Sequence, residues 1–220
     1  MSNLSIEYFE NGVKVYQDSN LYKFTSDAIK LAKFCKLKHT DNVLDMCAGC
    51  GVVGFYAYSI NPCNKIYFNE IQSQMCDLIK QNIDINHMVN KAEILNQDLN
   101  TLTLNQFDKP VDVILCNPPY FKMQGKIKEN QDVAICRHEI ACNLRQIIEK
   151  AGQLIKQKGR FYIVIPADRL CECIVDLANN GFETKNIEMC CHKSRVGVCL
   201  IEAVKNAKSG VVIKVFEGEK

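Results

Sequence analysis

Short apolar runs alternate with helical stretches through most of this chain, and that rhythm limits the fold more than any other feature. NVLDM (42–46) leads through a glycine-bearing loop into an apolar helix ending near residue 60. KIYFNE (65–70) precedes a long helical stretch to about residue 86, and AEILNQ (92–97) is a third strand. VDVILCN (111–117) is a fourth, followed later by a helix over 143–156; RFYIVI (160–165) is a fifth, with a helix over 167–179. Strands that are apolar along their length and joined through helices demand a parallel sheet covered on both faces. FETKNIEMC (182–190) and VGVCLIEAV (196–204) read as a closing antiparallel pair. The pattern therefore predicts an α/β fold: a doubly wound, mostly parallel, seven-stranded sheet with an antiparallel C-terminal edge pair. GVKVYQ (12–17) alternates as a short strand, and Thr25, Ser26 and Asp27 are placed to cap a helix reaching about residue 36. Residues 1–40 thus make a hairpin and helix extension, 41–206 the main domain and 207–220 a C-terminal tail.

With 220 residues, 47% hydrophobic and 24% charged, the chain has the balance of a soluble globular domain with one sizeable core. Its apolar runs are of strand length, well short of the ~20 residues of a membrane span. MSNLSIEYFENG has no basic segment leading into an apolar one, so no secretory signal is predicted and the cytoplasm is the default compartment. The 13 cysteines then read as reduced packing residues rather than a disulfide framework. Cys47-x-x-Cys50 finds no second well-spaced pair beyond Cys171-x-Cys173, and no metal is predicted. The net charge of +2 names no partner, but its distribution is uneven. Residues 21–40 hold five Lys against one Asp (+4), and residues 121–160 hold nine Lys or Arg against four Asp or Glu (+5). Each segment is either a solvated helix face or part of a surface for an anionic partner. Oligomeric state leaves no trace in the sequence, and a monomer is the default.

In doubly wound sheets, ligands bind beyond the carboxyl ends of the strands, near the point where strand order reverses. Acidic residues stand at three such ends. The first strand closes in DMCAGCG, which sets Asp45 ahead of the turn-forming Gly49 and Gly51 and of a helix N-terminus with free N–H groups. Glu70 ends the second strand, 19 residues after Gly51, where a carboxylate can accept from ribose hydroxyls. Gln97 and Asp98 end the third. Gly49-x-Gly51-x-x-Gly54 has the spacing of a nicotinamide fingerprint, but an acidic strand end would repel a pyrophosphate. The D-x-C-A-G-x-G arrangement instead resembles the first motif of the S-adenosylmethionine-dependent methyltransferases, where a carboxylate faces a sulfonium and an amino group. That resemblance implies S-adenosyl-L-methionine as cofactor, held by Asp45, Cys47, Ala48, Gly49, Gly51, Glu70, Ile71, Asp98 and Asn117. For each acid taken singly, the alternative is a helix cap.

The fourth strand ends in CNPPYFK (116–122). Two consecutive prolines offer no N–H to a ladder, so the strand stops there. The segment resembles the N-P-P-Y motif of amino-group methyltransferases, which implies catalytic roles for Asn117, Pro118, Pro119 and Tyr120. An exocyclic amine on adenine is a weak nucleophile, because its lone pair is delocalised into the ring. In this reading the Asn117 amide oxygen and the Pro118 carbonyl accept its two N–H bonds. Pro119 restricts the backbone that carries that carbonyl, and Tyr120 stacks the flipped-out base. Alignment, which can contribute up to ~7–11 kcal/mol, carries most of the acceleration, and no strong base is required. Protein-glutamine methyltransferases share N-P-P-Y, but usually carry a helical N-terminal domain. The roughly 40 residues before the first sheet strand leave no room for one.

LYKFTSDAIKLAKF (21–34), NPPYFK (117–122), CRHE (136–139) and PADRL (166–170) occur in that order. Together they resemble the bacterial tRNA1(Val) (adenine-N6)-methyltransferase family over roughly residues 10–205, with Cys47 where members usually have Gly and Cys136 where they have Ala. The resemblance implies a Rossmann-like methyltransferase sheet, a cytoplasmic enzyme, and methyl transfer to the N6 amino group of an adenine near the anticodon of tRNA, its partner. It further implies that Thr25 and Asp27 lie over the cofactor and that Lys122, Lys126, Lys128 and Arg137 contact RNA. A plain helix cap is the alternative for Thr25 and Asp27, and an ion pair with Glu139 is the alternative for Arg137. Adenine in ribosomal RNA or DNA, a release-factor glutamine, and a non-catalytic RNA-binding role on the same fold all stay open.

Overall fold

All five residues of strand β3 (Asn42–Met46) are buried, which places it at the centre of the sheet with a layer on each face. A computed structural model describes residues 4–118, 143–192 and 195–217. On one side of β3 runs β4 (Lys65–Glu70) and then β5 (Ala92–Asn96), on the other β6 (Val111–Cys116) and then β7 (Ile155–Pro166), all parallel. Beyond β7 lie the antiparallel β9 (Arg195–Lys205), then β8 (Phe182–His192) and β10 (Val212–Glu217). The full order is β10-β8-β9-β7-β6-β3-β4-β5. The chain leaves β3 towards β4 and β5, then crosses back to build β6 and β7. Strand order therefore reverses between β3 and β6, and a crevice opens above their carboxyl ends.

Alternation along the strands feeds two core layers. Val43, Ile66, Phe68, Val113 and Leu115 face helices α1 (Ser26–Phe34), α2 (Val52–Ile60) and α3 (Ser73–Ile85). Leu44, Met46, Tyr67, Ile114 and Cys116 face α4 (Leu144–Leu154) and α5 (Leu170–Asn179). Helix α4 shows how local sequence sets an element. The Asn143 side chain accepts from the Gln146 N–H at 3.0 Å, and Gln146 Oε1 accepts from the Asn143 N–H at 3.0 Å, a reciprocal N-terminal cap. Leu144, Ile147, Ile148, Ala151 and Leu154 then fall on one stripe and are buried. At the N-terminus, β1 (Leu4–Tyr8) and β2 (Lys14–Asp18) form a separate antiparallel hairpin.

Among the described residues the sheet has eight strands rather than seven. Residues 212–217, inside the stretch expected to be a tail, form β10, which pairs in parallel with β8. Val212, Ile213, Val215 and Phe216 are each more than half exposed. Backbone hydrogen bonding rather than burial makes this segment a strand, so it carries no one-sided apolar pattern. The 11 cysteines in the described residues are all free. Burial pushes the thiols of Cys63, Cys76 and Cys173 up to about 12, which keeps them inert packing groups. Among the described residues no helix is long and apolar enough to cross a membrane.

Leu44 is fully buried in the central strand, whereas Ile213 lies 54% exposed on the edge strand. Urea denaturation is expected to give a loss of about 2–5 kcal/mol for Leu44→Ala. For Ile213→Ala the same measurement should stay within about 0.5 kcal/mol of wild type.

Candidate functional site

The crevice above β3 and β6 holds a cavity of about 850 Å³, counting the open solvent at its mouth. Five stretches of chain wall it. Cys47 to Cys50 and the first turn of α2 form the floor; Asn69 to Gln72 span the end of β4, Gln97 to Leu99 follow β5, and Asn117 follows β6. Tyr22 and Phe24, between β2 and α1, close the remaining side.

The floor is a tight turn with three residues in the left-handed region: Cys47 (φ 55°), Gly49 (φ 56°) and Gly51 (φ 81°). It is pinned by the Ala48 N–H donating to the Asn69 carbonyl at 2.9 Å and the Gly51 N–H donating to the Ala48 carbonyl at 2.8 Å. Glycine at 54 has a packing reason. A Cβ there would stand 2.5 Å from the Phe68 ring and 3.0 Å from Asp45 Oδ2. That close approach lets the Gly54 N–H donate to Asp45 Oδ2 at 2.9 Å.

Glu70 reaches the cavity from the end of β4. Its Oε2 accepts from the Gly49 N–H and its Oε1 from the Gln72 N–H, both at 2.9 Å. Burial raises its carboxyl pKa, opposed by the N–H groups of Gln72, Gly49 and Ile71. Three N–H groups on about four acceptor sites leave the carboxylate room for a ligand hydroxyl. Asp98 lines the wall while capping the short turn after β5, accepting from the Asn100 N–H at 2.8 Å. Beside it, Gln97 Oε1 accepts from Gln106 Nε2 at 2.6 Å, and Gln97 Nε2 finds no partner among the described residues.

Of the residues singled out from sequence, Cys47, Ala48, Gly49, Glu70, Ile71, Asp98 and Asn117 come together around this cavity. Asp45 does not reach the wall. It is buried beneath the floor, with Oδ2 on Gly54 and Oδ1 unpartnered among the described residues. Gly51 also lies off the wall; a Cβ there would meet the Phe55 ring at 2.7 Å, so its glycine serves the turn and the packing behind it. Thr25 and Asp27 are absent from the wall as well. Thr25 opens α1, its carbonyl accepting from the Ala28 N–H at 3.1 Å, and Asp27 pairs with Lys30 at 3.0 Å. Thr25 holds the N-cap position without a side-chain cap hydrogen bond, Asp27 lies in the first helical turn, and the wall takes Tyr22 and Phe24 from just upstream instead. Those two were missed, and the only signal for them is the placing of two aromatics in a polar stretch. Pro118 is buried. Pro119, Tyr120, Lys122, Lys126, Lys128 and Arg137 lie outside the described residues.

The second basic segment changes meaning over its described part. Arg145 pairs with Glu149, Lys150 donates to the Asn100 and Leu102 carbonyls, Lys156 pairs with Asp112, and Arg160 pairs with Asp41. Over 143–160 these cations are engaged within the protein. Among the described residues no group of three or more His, Cys, Asp or Glu side chains is placed to hold a metal.

A doubly wound sheet whose strand-end acids stand around a glycine turn at the switch point defines a Rossmann-like protein with its cavity at the carboxyl ends of the strands. The chain matches the methyltransferase small domain over residues 26–186 and belongs to that family. Among curated relatives, it is 23% identical over 152 residues to a tRNA1(Val) (adenine(37)-N6)-methyltransferase of Flavobacteriaceae bacterium (strain 3519-10), covering 69% of this chain and 63% of that protein. It is 28% identical over 155 residues to the protein of the same name from Bacteroides thetaiotaomicron, covering 70% and 64%. The chain therefore spans just under two thirds of the length of these relatives. Among solved structures, a predicted O-methyltransferase from Agrobacterium tumefaciens superposes with a TM-score of 0.66 at 14% identity, covering 86% of this chain and 85% of that one. A tRNA m1G37 methyltransferase from M. jannaschii gives 0.69 at 18% identity, covering 94% and 58%. These two likenesses show the fold.

Burial pushes the Asp45 carboxyl up from 3.8 to about 8; the Gly54 N–H opposes the shift and the Glu70 charge adds to it. The folded chain therefore keeps a proton that the unfolded chain has released, and unfolding is favoured as pH rises. Stability is expected to be greatest below pH 3.8 as far as this group is concerned and to be lost up to about pH 8. Denaturant midpoints measured across that window should fall in wild type, and the slope should flatten in Asp45→Asn, which cannot ionise.

Proposed function

We propose that this protein is an S-adenosylmethionine-dependent methyltransferase that modifies the N6 amino group of an adenine in tRNA. The observation that carries the reading is the convergence of Glu70, Asp98 and the Asn117 carboxamide on one cavity floored by the glycine turn. The wall suits a nucleoside. Glu70 offers acceptor lone pairs for ribose hydroxyls, and Asp98 and the donor Gln97 Nε2 stand beside apolar Leu99 and Ile71, as a purine edge and face require. Glu70 is the buried acid on the wall, and a cationic ligand beside it would offset the cost of ionising it there. The two relatives named above carry the tRNA adenine-N6 designation.

The cofactor, when bound, supplies an electrophilic methyl group on a sulfonium. This chain's residues have the other tasks. The turn from Cys47 to Gly51 and Glu70 seat the nucleoside, and Asp98 orients its base. At the end of β6, the Asn117 amide oxygen and the Pro118 carbonyl accept the two N–H bonds of the target amine. Its nitrogen lone pair is thereby freed from the ring and directed at the methyl group. The methylated amine is acidic enough to lose its proton to water, so no side chain need act as a strong base. Tyr120 is assigned the base-stacking role, Pro119 that of restricting the residue before it, and Lys122, Lys126, Lys128 and Arg137 the phosphates.

The test is labelled cofactor incubated with total tRNA, ribosomal RNA, DNA and release factors, followed by nucleoside mass spectrometry. Label is expected in tRNA as N6-methyladenosine. Label confined to another acceptor would remove the tRNA assignment, and cofactor binding without turnover would remove the enzymatic one. Two variants separate the halves of the site. Asn117→Ala is expected to lower kcat by about 10²–10³, the range seen when one hydrogen-bonding group aimed at the reacting centre is removed. Its Kd for S-adenosylhomocysteine should stay within about threefold of wild type by calorimetry. Asp98→Ala should show the opposite split, a raised KM for cofactor with kcat largely kept.

A further inference from the structure

The N-terminal hairpin is joined to the cavity floor through one buried side chain. Asn82 on α3 is fully buried. Its Oδ1 accepts from the Tyr16 N–H at 2.6 Å, and its Nδ2 donates to the Tyr16 carbonyl at 3.4 Å and to the Cys50 carbonyl at 3.0 Å. One turn further, Asn86 repeats the pattern on Lys14, accepting from its N–H at 3.0 Å and donating to its carbonyl at 2.7 Å. Four residues of helix rise about 6 Å, and two residues of strand about 6.8 Å. The two carboxamides therefore stand in for a neighbouring strand along the open edge of β2. An isolated two-stranded hairpin is marginal in water, and this pairing supplies its missing partner.

The same hairpin controls the aromatic side of the cavity. Phe9, just after β1, packs against Phe24 with ring centroids 5.8 Å apart and edge-on against Tyr56 of α2 at 5.3 Å. Tyr22 and Phe24 lie a few residues after β2, before α1, and line the cavity. Asn82 bonds both sides: the hairpin at Tyr16 and the floor at Cys50.

We propose that Asn82 is a positioning residue for the cofactor site, holding the hairpin in register with the glycine turn so that Tyr22 and Phe24 form an aromatic wall against a bound nucleoside. The inference rests on the assignment of the cavity to S-adenosylmethionine and adds a requirement for a residue that never touches the ligand. The chain contains no tryptophan, so the Tyr22→Trp variant carries a single reporter in that wall. S-adenosylhomocysteine is expected to change its emission. Adding Asn82→Ala should weaken binding at least tenfold and abolish the emission change at saturating ligand, with the far-ultraviolet circular dichroism kept. Unchanged affinity together with a full emission change would overturn the proposal. Hydrogen exchange on the wild-type protein tests it without any variant. S-adenosylhomocysteine should slow exchange over 14–24 together with 47–51, and protection of 47–51 alone would overturn it even if Asn82→Ala does not fold. A wild-type protein that binds no S-adenosylhomocysteine would overturn the cavity assignment itself, and this inference with it.

Discussion

The hydrogen bond from the Gly54 N–H to Asp45 Oδ2 holds the turn on which the site depends. Asp45 is 1% exposed, in a strand buried on both faces, where an ionised carboxylate is costly. It is tolerated because it lies under the first turn of α2, where unpaired N–H groups point outward from the helix, and because burial keeps its carboxyl protonated well above the usual range. The contact requires glycine at 54, since a Cβ would enter both the carboxylate and the Phe68 ring. Once α2 is seated this closely on β3, the five residues between them have to turn through left-handed backbone. Gly49 and Gly51 permit this, and Cys47 also adopts it.

From that turn the site spreads sideways along the strand ends. The Gly49 N–H donates to Glu70, and the Ala48 N–H to Asn69, so the end of β3 is tied to the end of β4. Asn69 Nδ2 donates in turn to the Leu95 and Gln97 carbonyls, which ties β4 to β5. The segment that carries Asp98 is thus positioned by the buried Asn69 side chain. Parallel register does the rest: Met46 pairs with Cys116, which brings Asn117 level with the turn across the point of reversal. The groups that touch a ligand are few, and their placement is fixed by buried polar bonds between neighbouring strands.

The parts of this arrangement that could be read from sequence are those set by local pattern. β3, β4 and β6 are buried on both faces and therefore appear as mostly apolar runs without strict alternation, and the acids and glycines at their ends stand out against them. The helix of residues 144–154 announces itself through its cap and its apolar stripe. β10 could not be read this way, because its side chains are exposed and its identity comes from pairing with β8. Asp45 was legible as a significant strand-end acid, but not its direction. Which way the side chain of a strand residue points depends on the layer it faces, here that of α2. Tyr22 and Phe24 were illegible for a further reason. Their position is set by contacts 66 residues away in sequence, between Tyr16 and Asn82, and no local pattern records them.

That difference divides the cavity physically. The floor and the strand-end wall are built on the central sheet, where local opening costs close to the full stability of the domain. The aromatic side is carried by a two-stranded hairpin outside the main sheet, whose outer edge is satisfied by two carboxamides of α3 rather than by a third strand. A buried carboxamide holds such an edge well only while all its bonds are made together, since each unmade bond leaves a desolvated polar group. Asn82 divides its donors between the hairpin and the floor, so the hairpin's seating and the Cys50 carbonyl's orientation are satisfied or lost as one. The residues nearest the ligand and the residue that sets their spacing are therefore different, and the latter lies in the packed interior of a helix.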